Sequence, residues 1–356
     1  MPAVESYSQK TGDIASALLK HYDRHARVLP WRSKPGEAPP DPYRVWLSEI
    51  MLQQTTVAAV APYFERFTAR WPDVAALAAT EDADLMAAWA GLGYYARARN
   101  LLACARRVTA DFDGRFPEDE SELRTLPGVG TYTAAAIAAI AFGKRAVVVD
   151  ANVERVVARL FAITTPLPSA RAGIRNACDQ IAPATRSGDF AQAMMDLGAS
   201  ICTPRTPACL VCPLANYCQG YQLGIAETLP VKPAKAIKPA RTGTAYWIER
   251  DEKVWLIKRP TNGMLGGMRA LPDDNWAARK DGDAIPPVPA EWRTLNEAVS
   301  HVFTHFSLTL SLALTSSPVQ SELLGEGEWW PVNSLDSAGL PTLFSKAARL
   351  AGKASR

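Results

Sequence analysis

The sequence contains no long hydrophobic run. A helix that spans a membrane needs about 20 consecutive apolar residues, and the run Ala134–Phe142 is shorter and rich in alanine. The first ten residues, MPAVESYSQK, also lack the apolar core of a secretory signal. We therefore expect a cytoplasmic protein that makes no use of a membrane.

Charge of one sign is scarce as well. The 356 residues carry 39 Lys and Arg against 36 Asp and Glu, a formal net charge of +3. This small excess permits nucleic-acid binding, but only local features can argue for it. The length and the 48% hydrophobic content suit a globular chain of two or three domains.

Cysteine is also sparse, and its distribution excludes a disulfide framework, which would spread its cysteines through a small secreted chain. Of the six cysteines, two are isolated. The other four form one cluster, with six, two and five residues between successive cysteines: Cys202, Cys209, Cys212 and Cys218. Four soft thiolates in one loop suit a [4Fe–4S] cluster or a Zn²⁺ ion, and ligand type alone leaves both open.

Hydrophobic periodicity predicts an all-α region up to about residue 220. The expected helices cover residues 8–28, 43–56, 62–71, 84–90, 97–110, 121–126, 151–162, 170–181 and 190–201, with a small-residue helix after Gly130.

After Gly220 the composition changes. Residues 226–243 are rich in proline, lysine and arginine, which predicts a solvated linker. After this segment, hydrophobic residues recur at every second position, the period of a β-strand. Tyr246–Arg250 and Val254–Lys258 predict a hairpin, His301–Leu312 a half-buried strand, and Pro341–Leu350 a closing helix. The fold class is therefore multidomain, an all-α region followed by an α+β domain.

The segment LPGVG, residues 126–130, joins two predicted helices. Its glycines allow a tight turn with positive φ and expose N–H groups beside a helix N-terminus, where an anion is favoured. A DNA phosphate held there would be bound without base contacts. The same pentapeptide also occurs as an ordinary helix connection.

Two acidic residues have equally open interpretations when each is taken alone. Asp150 precedes a helix, which makes it an N-cap candidate. Glu49 lies between apolar residues of a helix, where it is either a boundary residue or a buried acid. Such a pair can divide the work of glycosidic cleavage: a protonated carboxyl activates the leaving base, and an ionised one stabilises the cationic sugar.

Several motifs together resemble the MutY family of adenine DNA glycosylases, within the helix-hairpin-helix and iron–sulfur superfamily. These are WLSEIMLQQT around Glu49, LPGVG-x-YT, VVVDANVERV around Asp150, the cysteine spacing, and HVFTH at 301–305. The resemblance covers residues 8–222 closely and the C-terminal domain more loosely. Ala151 stands where the family usually has glycine.

The resemblance implies a helix-hairpin-helix core with a [4Fe–4S] loop and a Nudix-like C-terminal domain. The implied boundaries are 1–225 for the catalytic region, 226–243 for the linker and 244–356 for the second domain. Within the catalytic region, a six-helix barrel module covers about 33–143, and the iron–sulfur module combines 1–32 with 144–225.

The resemblance also implies the site. Glu49 is the expected catalytic acid and Asp150 the carboxylate at the sugar, with Tyr132 and Asn152 beside them. Tyr94 is expected to intercalate, with Gln54 next to it. The residues themselves also suggest that Arg97 and Arg99 can meet phosphates, although they could equally be solvated arginines at a helix N-terminus. Further substrate and DNA contacts are implied for Arg27, Leu29, Trp31, Arg32, Leu52, Gly128, Gly130, Gln192, Phe303, Thr304 and His305.

The implied reaction is hydrolysis of the bond to adenine opposite 8-oxoguanine or guanine in double-stranded DNA, by a monomer that joins the nucleoid when on DNA. Tyr132 occupies the position of the Schiff-base lysine of endonuclease III-like enzymes, so we expect a monofunctional enzyme. The alternatives are an endonuclease III-like glycosylase and lyase acting on oxidised pyrimidines, and a non-catalytic iron–sulfur DNA-binding module.

The C-terminal domain departs from the family at Thr304, usually serine, and at Met268 and Arg269. It also lacks a Nudix hydrolase box. We therefore expect it to recognise 8-oxoguanine rather than to hydrolyse nucleotides.

Overall fold

The computed structural model describes residues 2–233, 238–260, 264–315 and 326–355. The chain divides into two compact units, Met1–Ala234 and Lys235–Arg356. Within the described ranges, every helix is too short or too polar to cross a membrane.

The first unit is helical throughout its described part. Its helices are α1 (Pro2–His25), α2 (Pro42–Leu52), α3 (Val57–Arg70), α4 (Val74–Ala78), α5 (Asp82–Trp89), α6 (Ala96–Asp111), α7 (Glu120–Leu123), α8 (Thr131–Phe142), α9 (Ala151–Leu160), α10 (Arg171–Ile181), α11 (Ser187–Ser200) and α12 (Gln219–Gln222).

Side-chain caps fix where several of these helices begin. Asp41 accepts from the backbone N–H groups of Tyr43 and Arg44 at the start of α2, and Thr56 accepts from Ala59 at the start of α3. Each cap satisfies donors that the helix itself leaves without partners.

The helices pack around two apolar cores. One joins α2, α3, α6 and α8, and the other joins α1 with α9, α10 and α11. Helix α8 is buried on all sides from Thr133 to Ala141. Its small side chains let α2 and α11 approach closely, and this packing brings residues of all three helices to one cavity.

Two helix predictions need correction. The helix expected over 43–56 ends at Leu52, because Gln54 has a φ of +58°, which no α-helix accommodates. Helix α3 begins at Val57, so Pro62 lies inside it rather than at its start. Helix α4 was not predicted, since five residues are too few to show a helical period.

The second unit is a mixed sheet with a C-terminal helix. Its elements are β1 (Ala240–Arg250), β2 (Lys253–Lys258), β3 (Arg269–Ala270), β4 (Arg293–Thr294), β5 (Val299–Val302), β6 (Ser307–Thr315), β7 (Glu328–Pro331) and α13 (Thr342–Ala354).

Strands β1 and β6 are parallel and central, with Ala240 opposite Ser307 and Ile248 opposite Thr315. Strands β4 and β5 pair with the outer edge of β6, and β3 and β7 pair with β2. Helix α13 packs on this sheet around buried Trp247, Trp276 and Phe344.

The predicted hairpin is confirmed. Arg250 pairs with Lys253, and Asp251 and Glu252 both have positive φ, as a two-residue type I′ turn requires. The single strand predicted over His301–Leu312 is two strands in the structure: His301 and Val302 end β5, and β6 begins at Ser307. A reversal at Phe303–Phe306 separates β5 from β6, and the period-two pattern cannot reveal a turn that preserves its alternation.

The segment expected to be a linker also differs. Ala226 and Leu229 are buried in the first unit, and Val231 accepts a hydrogen bond from the Leu167 amide. Strand β1 begins at Ala240. Both ends of 226–243 are therefore structured, since their apolar residues have surfaces to pack against; residues 234–237 lie outside the described ranges.

Candidate functional site

A tight turn joins α7 to α8. Gly128 has a φ of +75°, which favours glycine. A Cβ there would also lie 2.8 Å from Cβ of Asn100, so there is no room for a side chain. Gly130 is different from what we predicted, because its φ of −88° is ordinary extended backbone. It serves as the N-cap of α8 and leaves the first amides of that helix without side-chain caps.

A cavity of about 1040 Å³ opens beside α8. Its walls come from the loop after α1, the end of α2, the starts of α8 and α9, and one face of α11. Eleven of the residues predicted for the site line it together: Arg27, Leu29, Trp31, Arg32, Glu49, Leu52, Gln54, Tyr132, Asp150, Asn152 and Gln192.

Glu49 is 7% exposed at the wall of this cavity. Burial raises the pKa of its carboxyl to about 7, because the charged form loses hydration, and the nearby Asp150 carboxylate raises it further. The hydroxyl of Tyr132 hydrogen-bonds Glu49, and this bond together with the Arg32 guanidinium lowers the pKa in part. Glu49 can therefore still hold a proton near neutral pH and release it to a ligand in the cavity.

Asp150 is the N-cap of α9 and faces the same cavity. Its Oδ1 accepts from the Val153 amide at 2.7 Å, and its Oδ2 accepts from the Asn152 side-chain amide at 2.9 Å. The capping interpretation and the catalytic interpretation are thus compatible in one residue. Ala151 is the first residue of α9 and adopts helical backbone, so the glycine usual in the family is not needed here.

Asn152 is held in turn by Arg155, whose Nη2 donates to Asn152 Oδ1 at 3.0 Å. The same guanidinium donates to the carbonyl oxygens of Gly198 at 2.6 Å and Cys202 at 2.7 Å. The orientation of Asp150 is therefore connected, through two side chains, to the first cysteine of the four-cysteine loop.

Gln192 is 5% exposed and lines the cavity from α11. Its Nε2 donates weakly to the Gly188 carbonyl at 3.4 Å. Its Oε1 has no hydrogen-bond partner among the residues that the structure describes. A buried acceptor without a partner is costly, which points to a ligand that brings a donor.

Tyr94, which is expected to intercalate, and Gln54, which is expected to lie beside it, both have strained backbone. Gln54 has a φ of +58° and Tyr94 a φ of +49°, and such conformations concentrate at functional sites. The Tyr94 ring is 56% exposed. Together with Gly128 and Gly130, Tyr94 lies outside the lining of the cavity in the part of the chain that is described.

The prediction that Arg97 meets phosphates is wrong. Its guanidinium is buried and donates to the carbonyl oxygens of Ile50, Met51 and Leu92 at 2.9–3.0 Å. It ties the end of α2 to the segment that carries Tyr94. An arginine in a Tyr-x-x-Arg pattern gives no sequence signal for this use, because its partners are backbone groups far along the chain.

Sequence reasoning also missed two residues of α11. The sulfur of Met195 lies 3.9 Å from the Tyr132 hydroxyl. Asp196 forms ion pairs with Arg27 and Arg32. Their spacing from Gln192, three and four residues, places all three on one face of a helix, and that spacing is the only sequence signal that could have found them.

The four clustered cysteines surround one small apolar cavity, closed by Ile201, Pro207, Ala215, Tyr221 and Ala226. Arg159 donates to Cys202 Sγ at 3.3 Å and to the carbonyl oxygen of Thr203. Burial raises the pKa of the Cys212 thiol to about 11, and a bound metal centre would supply the positive charge that holds such a thiol as the thiolate. Four thiols around one small apolar cavity fit an iron–sulfur cluster.

The second unit places Phe303 to Phe306 at the turn between β5 and β6. The rings of Phe303 and Phe306 are stacked, with centroids 4.6 Å apart, and the Phe303 amide donates to the Phe306 carbonyl. Thr304 and His305 are exposed at the tip of this turn. The turn thus offers a hydroxyl, an imidazole and the edge of an aromatic stack to a partner.

Comparison with known proteins agrees with the class that this arrangement defines, the helix-hairpin-helix DNA glycosylases of base excision repair. Residues 47–178 match the HhH-GPD superfamily base excision DNA repair protein family. Residues 202–218 match the iron-sulfur binding domain of endonuclease III, and residues 243–350 match the NUDIX domain. The predicted fold class and the [4Fe–4S] cofactor are confirmed.

Individual relatives narrow the class. An adenine DNA glycosylase of Mus musculus is 33% identical over 94% of this chain and 77% of its own length. One of Buchnera aphidicola is 30% identical over 94% of this chain and 96% of its own. A thermostable thymine-DNA glycosylase superposes with a TM-score of 0.54 and 30% identity, over 60% of this chain and 98% of its own. The chain belongs to the adenine DNA glycosylase family.

Proposed function

We propose that the chain removes adenine from duplex DNA by hydrolysing its N-glycosidic bond where the adenine is mispaired with 8-oxoguanine or guanine. The observation that carries this proposal is one cavity that contains Glu49, Asp150 and the unpartnered Oε1 of Gln192. These groups are an acid, a carboxylate and a hydrogen-bond acceptor, and each of them can interact with an adenine nucleotide flipped out of the DNA helix.

The proposed roles follow from the environments of these groups. The exocyclic amino group of adenine supplies the donor that Gln192 Oε1 lacks. Glu49, kept protonated by burial, donates its proton to the purine ring at N7, which makes the base a better leaving group. Asp150 lies where a carboxylate can stabilise the positive charge that develops on the sugar.

The enzyme is proposed to be monofunctional. Tyr132 lies beside Glu49 and carries no amine, so a Schiff base with the sugar is not available at this position. Water then adds to the anomeric carbon of the sugar as the bond to adenine breaks. The products are free adenine and an abasic site. The iron–sulfur cluster, when bound to its four cysteines, supplies a rigid fold for that loop and needs no part in the hydrolysis.

Recognition of the opposite base is assigned to the second unit. The turn with Phe303, Thr304 and His305 offers polar groups at its exposed tip and an aromatic stack behind them. Such a tip suits the edge of an oxidised purine. The partner DNA is held through its backbone by the Gly128 turn and opened by Tyr94 and Gln54.

A panel of duplexes tests the proposal. Each carries one of the pairs A with 8-oxoguanine, A with G, T with G, or thymine glycol with A, and base release and strand cleavage are measured separately. The expected result is release of adenine from the first two without strand cleavage until alkali is added. Release of thymine or thymine glycol in place of adenine, or a covalent complex trapped by borohydride, would contradict it.

A further inference from the structure

Asp196 lies on α11, one turn beyond Gln192, and forms contacts with two arginines of the cavity wall. Its Oδ2 accepts from Arg32 Nη1 at 2.8 Å and from the Arg27 backbone amide at 3.2 Å. Its Oδ1 lies 3.7 Å from Arg27 Nη1. The side chains of Asp196 and Arg32 are 10% and 9% exposed, so this ion pair is largely shielded from water.

Asp196 itself is absent from the lining of the cavity among the described residues, whereas Arg27 and Arg32 both belong to it. Its carboxylate therefore acts on the site only through these two side chains. It holds the Arg27 backbone amide and the Arg32 guanidinium by hydrogen bonds, which sets the position of the loop between α1 and α2. It also neutralises the charge of Arg32, one of the four described arginines that line the cavity, with Arg27, Arg171 and Arg175.

This charge matters because of the neighbouring acid. Arg32 favours the ionised form of Glu49, and an ionised Glu49 has no proton to give. A guanidinium released from Asp196 would be a free cation beside a buried carboxyl. Removal of the Asp196 charge would leave the Arg32 charge unpaired and would therefore favour the carboxylate form of Glu49.

We propose that Asp196 is a positioning residue for the glycosylase reaction, which holds the Arg27 backbone and the Arg32 guanidinium in the wall of the base pocket and keeps the Arg32 charge paired. This inference depends on the proposed function, since it assigns Glu49 the role of proton donor. Asp196 is thus a third acidic residue that the reaction requires, after Glu49 and Asp150, and it lies outside the lining of the cavity as the described residues define it.

The charged groups around Glu49 define what has to be held constant in a test. Tyr132 contacts it from α8, Asp150 approaches from the start of α9, and Arg32 from the loop after α1. Arg97 on α6 binds the carbonyl oxygens of the next two residues, Ile50 and Met51. Asp196 on α11 is the group whose charge can be removed while all of these remain.

The test is the pH dependence of single-turnover adenine release from a duplex with A opposite 8-oxoguanine. In Asp196→Asn, the alkaline limb of the rate profile is expected to move to lower pH by about one pH unit. The matched control is Asp189→Asn on the same helix, which removes an aspartate paired with Arg186 and leaves the cavity arginines untouched. The alkaline limb of the Asp189→Asn profile is expected at the same pH as that of the wild type.

A charge-compensated variant separates this role from a structural one. The double variant Arg32→Gln and Asp196→Asn lacks the unpaired Arg32 guanidinium. The alkaline limb of its rate profile is therefore expected at the wild-type pH or higher, even if its maximal rate is lower. A uniform loss of rate in Asp196→Asn without movement of the limb would overturn the inference, as would a double variant that keeps the shifted limb. If Asp196→Asn fails to fold, as judged by circular dichroism and the visible absorbance of the cluster, the double variant gives the answer: its limb must lie at or above the wild-type position, and a limb below that position would overturn the inference. A wild type that releases no adenine would refute the proposed function instead.

Discussion

The Asn152 side-chain amide donates to Asp150 Oδ2 at 2.9 Å. This bond leaves the Asp150 carboxylate with two fixed donors, since the Val153 amide holds Oδ1. Both oxygens are thereby oriented before a substrate arrives, and the carboxylate does not have to reorganise as positive charge develops on the sugar.

Loss of this bond is expected to slow the reaction. Asn152→Ala should lower the single-turnover rate roughly 10- to 100-fold, the effect of one hydrogen bond to a charged group. Affinity for the duplex should change little, because the bond acts on the sugar charge that exists only in the transition state. Asn176→Ala, an exposed change on α10, is the control; an unchanged rate in Asn152→Ala would refute the assignment.

Close packing behind Asn152 gives a second prediction. A Cβ at Gly198 would lie 2.6 Å from Asn152 Cβ, so Gly198→Ala has to push α11 away from α9. We expect a loss of about 1–3 kcal/mol in the free energy of unfolding and a slower reaction. Gly173→Ala on α10 meets nothing within 4 Å and should stabilise by up to about 1 kcal/mol. Thermal melting checks both, and equal effects would contradict the packing argument.

Substitution of Tyr132 is expected to move the alkaline limb of adenine release in the direction opposite to that for Asp196→Asn. Its hydroxyl hydrogen bond lowers the pKa of Glu49, which burial has raised to about 7. Tyr132→Phe removes the bond, so Glu49 should keep its proton to higher pH and the alkaline limb of adenine release should move up. A pH series of single-turnover rates measures this, and a limb that moves down would show that the bond acts differently.

The buried acid also affects stability. Its pKa is raised to about 7 in the native state from an ordinary value of 4.5, so the native state binds this proton more tightly than the unfolded chain does. The stabilisation is complete below the unfolded value and is lost as pH rises to the folded value, about 3 kcal/mol in all. Glu49→Gln avoids this loss.

The Tm of Glu49→Gln should therefore rise relative to wild type between about pH 5 and pH 7, reach a difference of roughly 5 °C or more, and level off above. Melting curves at equal cluster content check it. A difference independent of pH would mean that Glu49 is not the titrating group.

Much of this site was predictable because its residues lie in short motifs that resemble those of one family. Glu49, Asp150 and the four cysteines were identified from neighbouring sequence, and the structure brings the two acids to one cavity. The use of Arg97 and Asp196 was not predictable in the same way. Asp196 meets Arg32 across 164 positions of sequence, and Arg97 binds backbone carbonyl oxygens that no side-chain pattern marks.

The backbone of the DNA-facing segments was equally hidden. Gln54 and Tyr94 adopt positive φ that their residue types do not favour, so helical periodicity continued the helix through Gln54. In the second unit, the turn at Phe303–Phe306 interrupts a pattern that alternates correctly on both sides. In each case the tertiary structure overrides a local preference, and each case lies at a predicted contact with DNA.

The most direct test of the account concerns the proton of Glu49. Single-turnover adenine release from a duplex with A opposite 8-oxoguanine is compared for the wild type and Glu49→Gln, with binding of the same duplex measured in parallel. The account predicts that Glu49→Gln binds the duplex as the wild type does and releases no adenine on the wild-type timescale. Release at the wild-type rate would contradict it.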